Sequence, residues 1–310
     1  MDFDLKVGFS CNNNCIHCVV SEKLEKTLKK DLSFDEIKAI IDNNLDCDRF
    51  ILTGGEPTIR NDFIEICKYI KKYNKRVSLQ SNGMMFHDYE FAEKSFRYID
   101  DFLIAIHSYN KDIHDSIVEV KGAWDKTTDG LINLINLGRL NDICSQTVIN
   151  KLNLNFLEKT YDFLYQIGIR SMNLTFPHCN GNAYSNIKMV QPKYSEIANI
   201  IDAILYKYDG YVNTEAIPLC YIYKHKKTTS FYLEQKNDTI GYDQHLNEND
   251  MGDRIEYSSL IEQEKRKPES ICTMCELSKS CEGVWKEYEE MYLNCLDLKP
   301  LKLIYLYNIL

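Results

Sequence analysis

Three cysteines near the N-terminus are the residues best suited to carry chemistry. Cys11, Cys15 and Cys18 form the pattern CxxxCxxC directly after the apolar stretch 5–9. Thiolates this close together bind a soft metal ion or an iron–sulfur cluster. Three thiolates are too few to close a cluster of four irons, and the next cysteine, Cys47, is predicted to lie on another element. One iron would therefore stay open, and an open coordination site is where chemistry can occur.

A second motif follows at the end of a predicted strand, where Gly54, Gly55, Glu56 and Pro57 come directly after Thr53. Glycines let a backbone approach a ligand closely. Strand-end carbonyls and the Glu56 carboxylate can accept hydrogen bonds from an ammonium group. The alternative for the cysteines is a structural zinc site, but zinc prefers paired CxxC units. Zinc would also leave the Gly-Gly-Glu-Pro motif unexplained.

In this order, the two motifs resemble those of the radical S-adenosylmethionine superfamily. The resemblance implies that Cys11, Cys15 and Cys18 hold a [4Fe–4S] cluster whose open iron binds S-adenosylmethionine. It implies reductive cleavage of that molecule to a 5′-deoxyadenosyl radical, which abstracts a hydrogen atom from a substrate. It further implies a partial (β/α)6 TIM-like barrel and a flavodoxin- or ferredoxin-type electron donor.

The resemblance also implies which other residues contact S-adenosylmethionine. His17 would contact the adenine, and the strip from Gly54 to Pro57 the methionine amine. Polar residues at the ends of the third, fourth and fifth predicted strands would contact the ribose hydroxyls or the carboxylate: Ser81, Asn82, Ser108 and Asn150. The alternatives are a solvent-facing loop residue for His17 and plain turn-forming roles for the four polar residues.

Strand and helix patterns alternate through the first two thirds of the chain, which predicts an α/β fold. The predicted strands are 5–9, 49–52, 77–80, 102–106, 147–149 and 171–176. The predicted helices are 33–43, opened by a Ser33–Glu36 capping box, 62–73, 124–137, 154–167 and 194–208. Six such units favour a parallel sheet with right-handed crossovers. Sites in barrels of this type lie at the carboxyl ends of the strands, where both motifs fall.

A second cysteine group, Cys272, Cys275 and Cys281, lies near the C-terminus. It resembles the auxiliary-cluster segment of the SPASM and twitch subfamilies and so implies a second [4Fe–4S] cluster; a small zinc knuckle is the alternative. The full SPASM pattern has a further cysteine where this chain has Trp285, so only one auxiliary cluster is expected. Its fourth ligand is Cys220 or Cys295, with Cys220 favoured. We predict a barrel domain at 1–214 and an auxiliary-cluster domain at 215–310.

The remaining cysteines are assigned by position. Cys179 follows the sixth predicted strand and is a candidate catalytic residue, because a thiol at the barrel mouth can give a hydrogen atom to a substrate radical. It could instead bind the auxiliary cluster or be a structural loop cysteine. Cys47, Cys67 and Cys144 lie in apolar or helical patterns and are predicted to be buried core thiols.

Composition limits the class of protein. The 310 residues are 44% hydrophobic and 27% charged, with a formal net charge of −9. The negative charge argues against nucleic-acid binding, which needs a basic surface. No signal peptide and no membrane span are predicted. Twelve cysteines without an export signal favour metal ligands over disulfides, and hence a cytoplasmic location.

The favoured function is modification of a ribosomally made peptide by crosslinking, epimerisation or oxidation, with the tyrosine-rich stretch 221–270 as a groove wall. We expect no leader-binding domain before the barrel, because Cys11 comes so early. The alternative is rearrangement or cyclisation of a small molecule in cofactor biosynthesis. Its only cue is a basic run, 224–227, which is more simply a solvated loop. A third possibility is a non-catalytic zinc- or cluster-binding protein.

Overall fold

The chain is built on one large sheet of nine strands. The computed structural model describes residues 1–21, 31–234, 239–242, 254–256, 263–292 and 295–301. The strands are β1 (Asp2–Lys6), β2 (Arg49–Thr53), β3 (Arg76–Ser81), β4 (Asp101–Ala105), β5 (Ile143–Val148), β6 (Ser171–Thr175), β7 (Val212–Glu215), β8 (Thr239–Tyr242) and β9 (Arg254–Glu256). A separate small sheet pairs β10 (Lys265–Arg266) with β11 (Val284–Trp285).

The order of the strands confirms the predicted fold class. Within the large sheet the order is β7-β6-β5-β4-β3-β2-β1-β8-β9. Every neighbouring pair from β7 to β8 is parallel, and only β9 runs antiparallel to its neighbour. Among the described residues β7 and β9 are the edges, so the sheet is an open, partial barrel. Its carboxyl ends share one rim.

Helices connect the strands and cover the sheet. They are α1 (Phe34–Asp42), α2 (Phe63–Lys72), α3 (Tyr89–Ser95), α4 (Lys111–Val118), α5 (Ala123–Asn136), α6 (Leu157–Gln166), α7 (Asn182–Ser185), α8 (Ile187–Val190), α9 (Tyr194–Tyr208), α10 (Leu219–Ile222), α11 (Lys226–Glu234), α12 (Glu269–Cys272) and α13 (Lys286–Met291). The capping box at Ser33 is confirmed: its backbone N–H donates to Glu36, and its Oγ accepts from the Glu36 backbone. None of the described helices is both long enough and apolar enough to cross a bilayer.

Two observed strands begin at other residues than predicted, in both cases because side-chain polarity reports burial and not strand geometry. The first strand is Asp2–Lys6 rather than 5–9, because Val7 and Phe9 are buried in the turn beyond it, 2% and 6% exposed. The fifth begins at Ile143 rather than at 147. Its buried face carries Ser145 and Thr147. Apolar runs indicate burial rather than strand geometry, and polar residues on a buried face hide a strand.

The C-terminal third of the chain is joined to the barrel sheet. β7, which was not predicted, extends the sheet beyond β6, and β8 pairs with β1 on the other side. Tyr288 and Leu298 belong to the same buried core as the barrel strands. The domain boundary at 215 stays a prediction, but the residues after it pack directly on the barrel.

Buried tyrosines make the contact between the barrel and the C-terminal segment. The rings of Phe176 and Tyr194 stack 4.1 Å apart, and the Tyr194 ring lies 4.6 Å from that of Tyr288. The Tyr194 backbone N–H donates to Tyr288 Oη over 2.9 Å. Tyr221 Oη donates to the backbone carbonyl of Asp297. In the described part of 221–270, Tyr221 therefore makes contacts within the chain, and so does Tyr232, whose Oη accepts from the Glu282 N–H. Residues 235–238, 243–253 and 257–262 of the expected groove wall lie outside the described residues.

Candidate active site

The three-cysteine loop leaves β1 and is held by the end of α4. Backbone N–H groups of Asn14 and Ile16 donate to the carbonyls of Val118 and Ile117 over 3.0 and 2.9 Å. The Cys18 N–H donates to the Cys15 carbonyl, closing a turn that brings these two residues close together. Backbone hydrogen bonds to the end of α4 therefore help to fix the shape of the loop.

The three thiols lie close enough to interact electrostatically. Burial, with smaller contributions from Glu56 and Cys18, raises the pKa of Cys11 to about 11. Burial also raises the pKa of Cys15, with added repulsion from Cys18 and Cys11. Thiolates at these positions need a nearby positive charge to be stable at neutral pH, and metal coordination supplies one. Three thiols close together on one loop fit a [4Fe–4S] cluster.

Gly54 and Gly55 bring the end of β2 against this loop. The Gly55 N–H donates to the Gly8 carbonyl over 2.9 Å, and the Glu56 N–H to the Ser10 carbonyl over 2.8 Å. A Cβ on Gly55 would lie 2.2 Å from the Ser10 carbonyl oxygen, which no real contact allows. Both glycines thus serve a close backbone contact with the residues that precede Cys11. Their predicted contact with S-adenosylmethionine stays a prediction.

Glu56 is the buried centre of a hydrogen-bond network across the barrel rim. Its Oε1 accepts from the Thr58 N–H, the Thr58 hydroxyl and Ser81 Oγ, and its Oε2 accepts from the Asn82 N–H over 2.7 Å. Burial raises its pKa, and the bonds from these donors oppose that effect. Pro57, also buried, opens the short 3-10 turn that follows. The carboxylate is therefore already engaged in joining the ends of β2 and β3.

Asn82 connects this network to the cysteine loop. Its Nδ2 donates to Asn12 Oδ1 over 2.6 Å, and its Oδ1 accepts from the Met84 N–H. Asn12 sits between Cys11 and Cys15 and was not singled out from the sequence. Because it lies within the CxxxCxxC pattern, its position was the available signal. The structure thus brings together the loop, the Gly-Gly-Glu-Pro strip, Ser81 and Asn82.

His17 belongs to a row of three imidazoles. Its ring meets that of His107 edge to face, with centroids 4.5 Å apart, and His107 stacks on His114 at 5.7 Å. Burial lowers the pKa of His17 and of His114 to about 4, and that of His107 well below its usual range. Neutral rings beside the cysteine loop suit contact with a flat, uncharged base. His114 was missed because nothing in its local pattern distinguishes it from a core residue of α4.

Ser108 and Asn150 are fully buried at their strand ends. Ser108 Oγ accepts from the Asn110 N–H, and Asn150 Oδ1 accepts from the Leu152 N–H. These are the bonds of residues that shape turns, which was the alternative for both. Their predicted contacts with S-adenosylmethionine stay predictions.

The match to a protein family decides the class of this site. Residues 5–164, just over half of the chain, match the family model of the radical SAM superfamily. The chain belongs to the radical SAM superfamily. Membership establishes an enzyme and implies S-adenosylmethionine and one [4Fe–4S] cluster.

Two curated radical SAM relatives act on different substrates by name. The AdoMet-dependent heme synthase of Methanosarcina barkeri is 30% identical over 171 residues, 54% of this chain and 47% of that protein. The mycofactocin maturase MftC of Mycolicibacterium smegmatis is 29% identical over 156 residues, 50% of this chain and 39% of that protein. The matched region thus spans about half of these relatives or less, so they do not establish the substrate.

Solved structures of SuiB share the fold over most of the chain. SuiB of Streptococcus suis bound to S-adenosylmethionine superposes with a TM-score of 0.63 at 12% identity, covering 95% of this chain and 75% of that chain. SuiB bound to its precursor peptide SuiA gives a TM-score of 0.64 at 11% identity over 95% and 73%. At this identity the likeness concerns the fold alone.

In this radical SAM chain, the second cysteine group lines a cavity together with Cys220. The cavity is lined by Cys220, Cys272, Cys275 and Cys281 among apolar residues such as Leu219 and Ile271. Burial, together with smaller contributions from the other three thiols, raises the pKa of Cys220 to about 12. Four thiols around one apolar space match the ligand number of a complete [4Fe–4S] cluster.

Cys295 and Cys179 lie elsewhere. Cys295 is buried but does not line the cavity, and Cys272 is the one cysteine of the group that raises its pKa. Cys179 packs with Ile16 and Ile117 beside the first cysteine loop, and burial raises its pKa to about 12. Of the predicted core thiols, Cys47 and Cys67 are fully buried and Cys144 is half-buried.

Proposed function

We propose that this radical SAM enzyme carries two [4Fe–4S] clusters, one on Cys11, Cys15 and Cys18 and an auxiliary one on Cys220, Cys272, Cys275 and Cys281. The observation that carries the proposal is the apolar cavity lined by the second set. Cys220 is the fourth ligand rather than Cys295, because Cys220 faces that space with the other three thiols. When bound, the first cluster supplies the electron that cleaves S-adenosylmethionine to a 5′-deoxyadenosyl radical.

The residues of the barrel rim hold S-adenosylmethionine in place. The neutral His17 ring faces the adenine, and the carbonyls of the Gly54–Gly55 strip accept from the methionine amine. Glu56 fixes that strip, since it ties β2 to Ser81 and Asn82. The same network holds Asn12, and through it the cysteine loop, at a set distance from the ligand.

The substrate is a ribosomally made peptide. The support comes from MftC, a maturase by name, and from SuiB, which was solved with a precursor peptide. Closing a crosslink removes two hydrogen atoms: one passes to the deoxyadenosyl radical, and the other leaves as a proton and an electron. An auxiliary cluster held by Cys220, Cys272, Cys275 and Cys281 would accept that electron, and a flavodoxin- or ferredoxin-type protein would supply the electron that starts the reaction. Cys179, buried beside the first cysteine loop, is a candidate donor of a hydrogen atom to the substrate radical.

Iron and sulfide analysis after anaerobic reconstitution tests the two clusters. We expect about eight irons per chain in the wild type and about four in Cys272→Ala/Cys275→Ala. Cys220→Ala should also lose about four irons, while the matched variant Cys295→Ala keeps them all. About four irons in both wild type and double variant, with zinc in the wild type alone, would remove the auxiliary cluster from the proposal.

Turnover with a library of short peptides tests the substrate class. A peptide substrate should raise the yield of 5′-deoxyadenosine above the peptide-free level. Its mass should fall by two hydrogen atoms after crosslinking or oxidation, or rise by about one mass unit after epimerisation in D2O, where a deuterium replaces a hydrogen. If no peptide does so and an iron porphyrin or its precursor does, the substrate is a small molecule.

That small-molecule alternative draws its support from the heme synthase relative. The basic run it would use for a nucleotide triphosphate is badly placed. Lys226 and Lys227 are exposed at the start of α11, where Thr228 bonds to Asp209 and to the Val212 carbonyl. These partners stand at the amino end of β7, the opposite end of the sheet from the site. His225, which directly precedes Lys226 in this run, is buried against Asp202.

A further inference from the structure

Outside both cysteine groups, an imidazole and two carboxylates converge from three segments. His178 Nε2 lies 3.6 Å from Glu287 Oε2 and 3.7 Å from Glu264 Oε2, and a ligand atom of each residue lies within 4.8 Å of the others. His178 follows β6, Glu264 precedes β10, and Glu287 lies on α13. The sequence gave no reason to group them, since about a hundred residues separate the first from the last.

The facing atoms are buried and do not satisfy one another. His178 Nε2 and Glu287 Oε2 make no hydrogen bond among the described residues, although solvent does not reach them. Separations of 3.6 and 3.7 Å are too long for hydrogen bonds. Two ligands at about 2.1 Å from one tetrahedral metal ion are about 3.4 Å apart. The spacing is therefore closer to that of metal ligands than to that of a hydrogen-bonded cluster.

The charges around these three side chains are compatible with a bound cation. Lys286 Nζ lies 2.6 Å from Glu264 Oε2 and offsets one of the two carboxylates. Its side chain is 36% exposed and can turn away into solvent. The stacked ring of Trp285, 4.0 Å away, fixes the His178 imidazole.

We propose that His178, Glu264 and Glu287 bind one divalent first-row transition-metal ion. Carboxylate and imidazole together suit Mn²⁺, Fe²⁺ or Zn²⁺. The loop after His178 reaches the first cysteine loop, because the Asn182 N–H donates to the Cys18 carbonyl over 2.9 Å. Binding of the ion therefore links the C-terminal segment to the loop that carries the first cluster. No cysteine takes part in this site, so its test is independent of the test of the proposed clusters.

Titration of the cluster-loaded protein with Mn²⁺ tests the site, with free Mn²⁺ measured by its electron paramagnetic resonance signal. The wild type should bind about one Mn²⁺ per chain, and Mn²⁺ should raise its unfolding temperature. Glu287→Gln keeps the shape of the side chain and should weaken binding at least about tenfold and remove the thermal shift. Lys286→Met removes a competing cation and should strengthen binding.

Glu290→Gln is the matched control, because Glu290 is exposed on the same helix and makes the same change of charge. It should bind Mn²⁺ as the wild type does. Two results overturn the proposal: a wild type that leaves the free Mn²⁺ signal unchanged, or a Glu287→Gln variant that binds as tightly as the wild type. Iron and sulfide content, unaffected in either case, shows that the clusters are not the cause.

Discussion

Cys15→Ala is expected to lose the first cluster and with it all cleavage of S-adenosylmethionine. Cys15 is one of only three thiols in the loop, and burial together with Cys18 and Cys11 raises its pKa. With two thiols left, the loop cannot hold three irons of a cubane. Iron should fall by about four atoms per chain, and 5′-deoxyadenosine formation should fall to the protein-free background. Iron analysis and chromatography of the nucleoside products measure both.

Cys144→Ala is the matched control, since Cys144 is half-buried on β5 and belongs to neither cysteine group. It makes the same chemical change and should keep both the iron and the cleavage. Combined with Cys272→Ala/Cys275→Ala, the Cys15→Ala change should leave almost no iron. A Cys15→Ala protein that kept its full iron content and still cleaved S-adenosylmethionine would refute the assignment of this loop.

The parts of the site that lie close together in the sequence could be predicted. CxxxCxxC and Gly-Gly-Glu-Pro each lie on one turn, and the two motifs in this order carry the resemblance that implies their chemistry. The parallel sheet followed from alternating strand and helix patterns, and it put both motifs on one rim. β7 was missed because Val212 is its single apolar residue, and β5 was shortened because Ser145 and Thr147 face its buried side.

The parts that come from distant segments could not be predicted. The partners of Glu56 lie on its own turn and at the end of β3, so its role as a network centre depends on the fold. The sequence favoured Cys220 over Cys295 only by its position along the chain, and the shared cavity adds the spatial reason to prefer it. Local patterns carry no information on which distant side chains meet, because that is decided by how the helices and strands pack.

Gly55→Ala is expected to be among the most destabilising single-methyl changes in the barrel. The added Cβ would lie 2.2 Å from the Ser10 carbonyl oxygen and 2.4 Å from that of Phe9. Backbone must move apart by roughly 1 Å, which breaks the bonds from Gly55 and Glu56 to the loop and strains the packing. We expect a loss of about 3 kcal/mol in the free energy of unfolding. Urea unfolding followed by the fluorescence of Trp124 and Trp285 measures it.

Gly122→Ala separates steric conflict from backbone strain. Gly122 has φ +82°, and nothing lies within 4 Å of an added Cβ, so this change should cost only about 1 kcal/mol. Gly54→Ala combines both effects, with φ +123° and the Gly8 carbonyl oxygen 2.1 Å away, and should cost at least as much as Gly55→Ala.

The same three variants connect stability to the cluster. Because Ser10 directly precedes Cys11, a displaced Ser10 carbonyl moves the first thiol, so Gly55→Ala should also lose iron from the first cluster while Gly122→Ala retains it. Equal losses of stability in Gly55→Ala and Gly122→Ala would show that the backbone contact tolerates a methyl group. The strip would then have no structural role in holding the cysteine loop, and its glycines would be explained by the ligand alone.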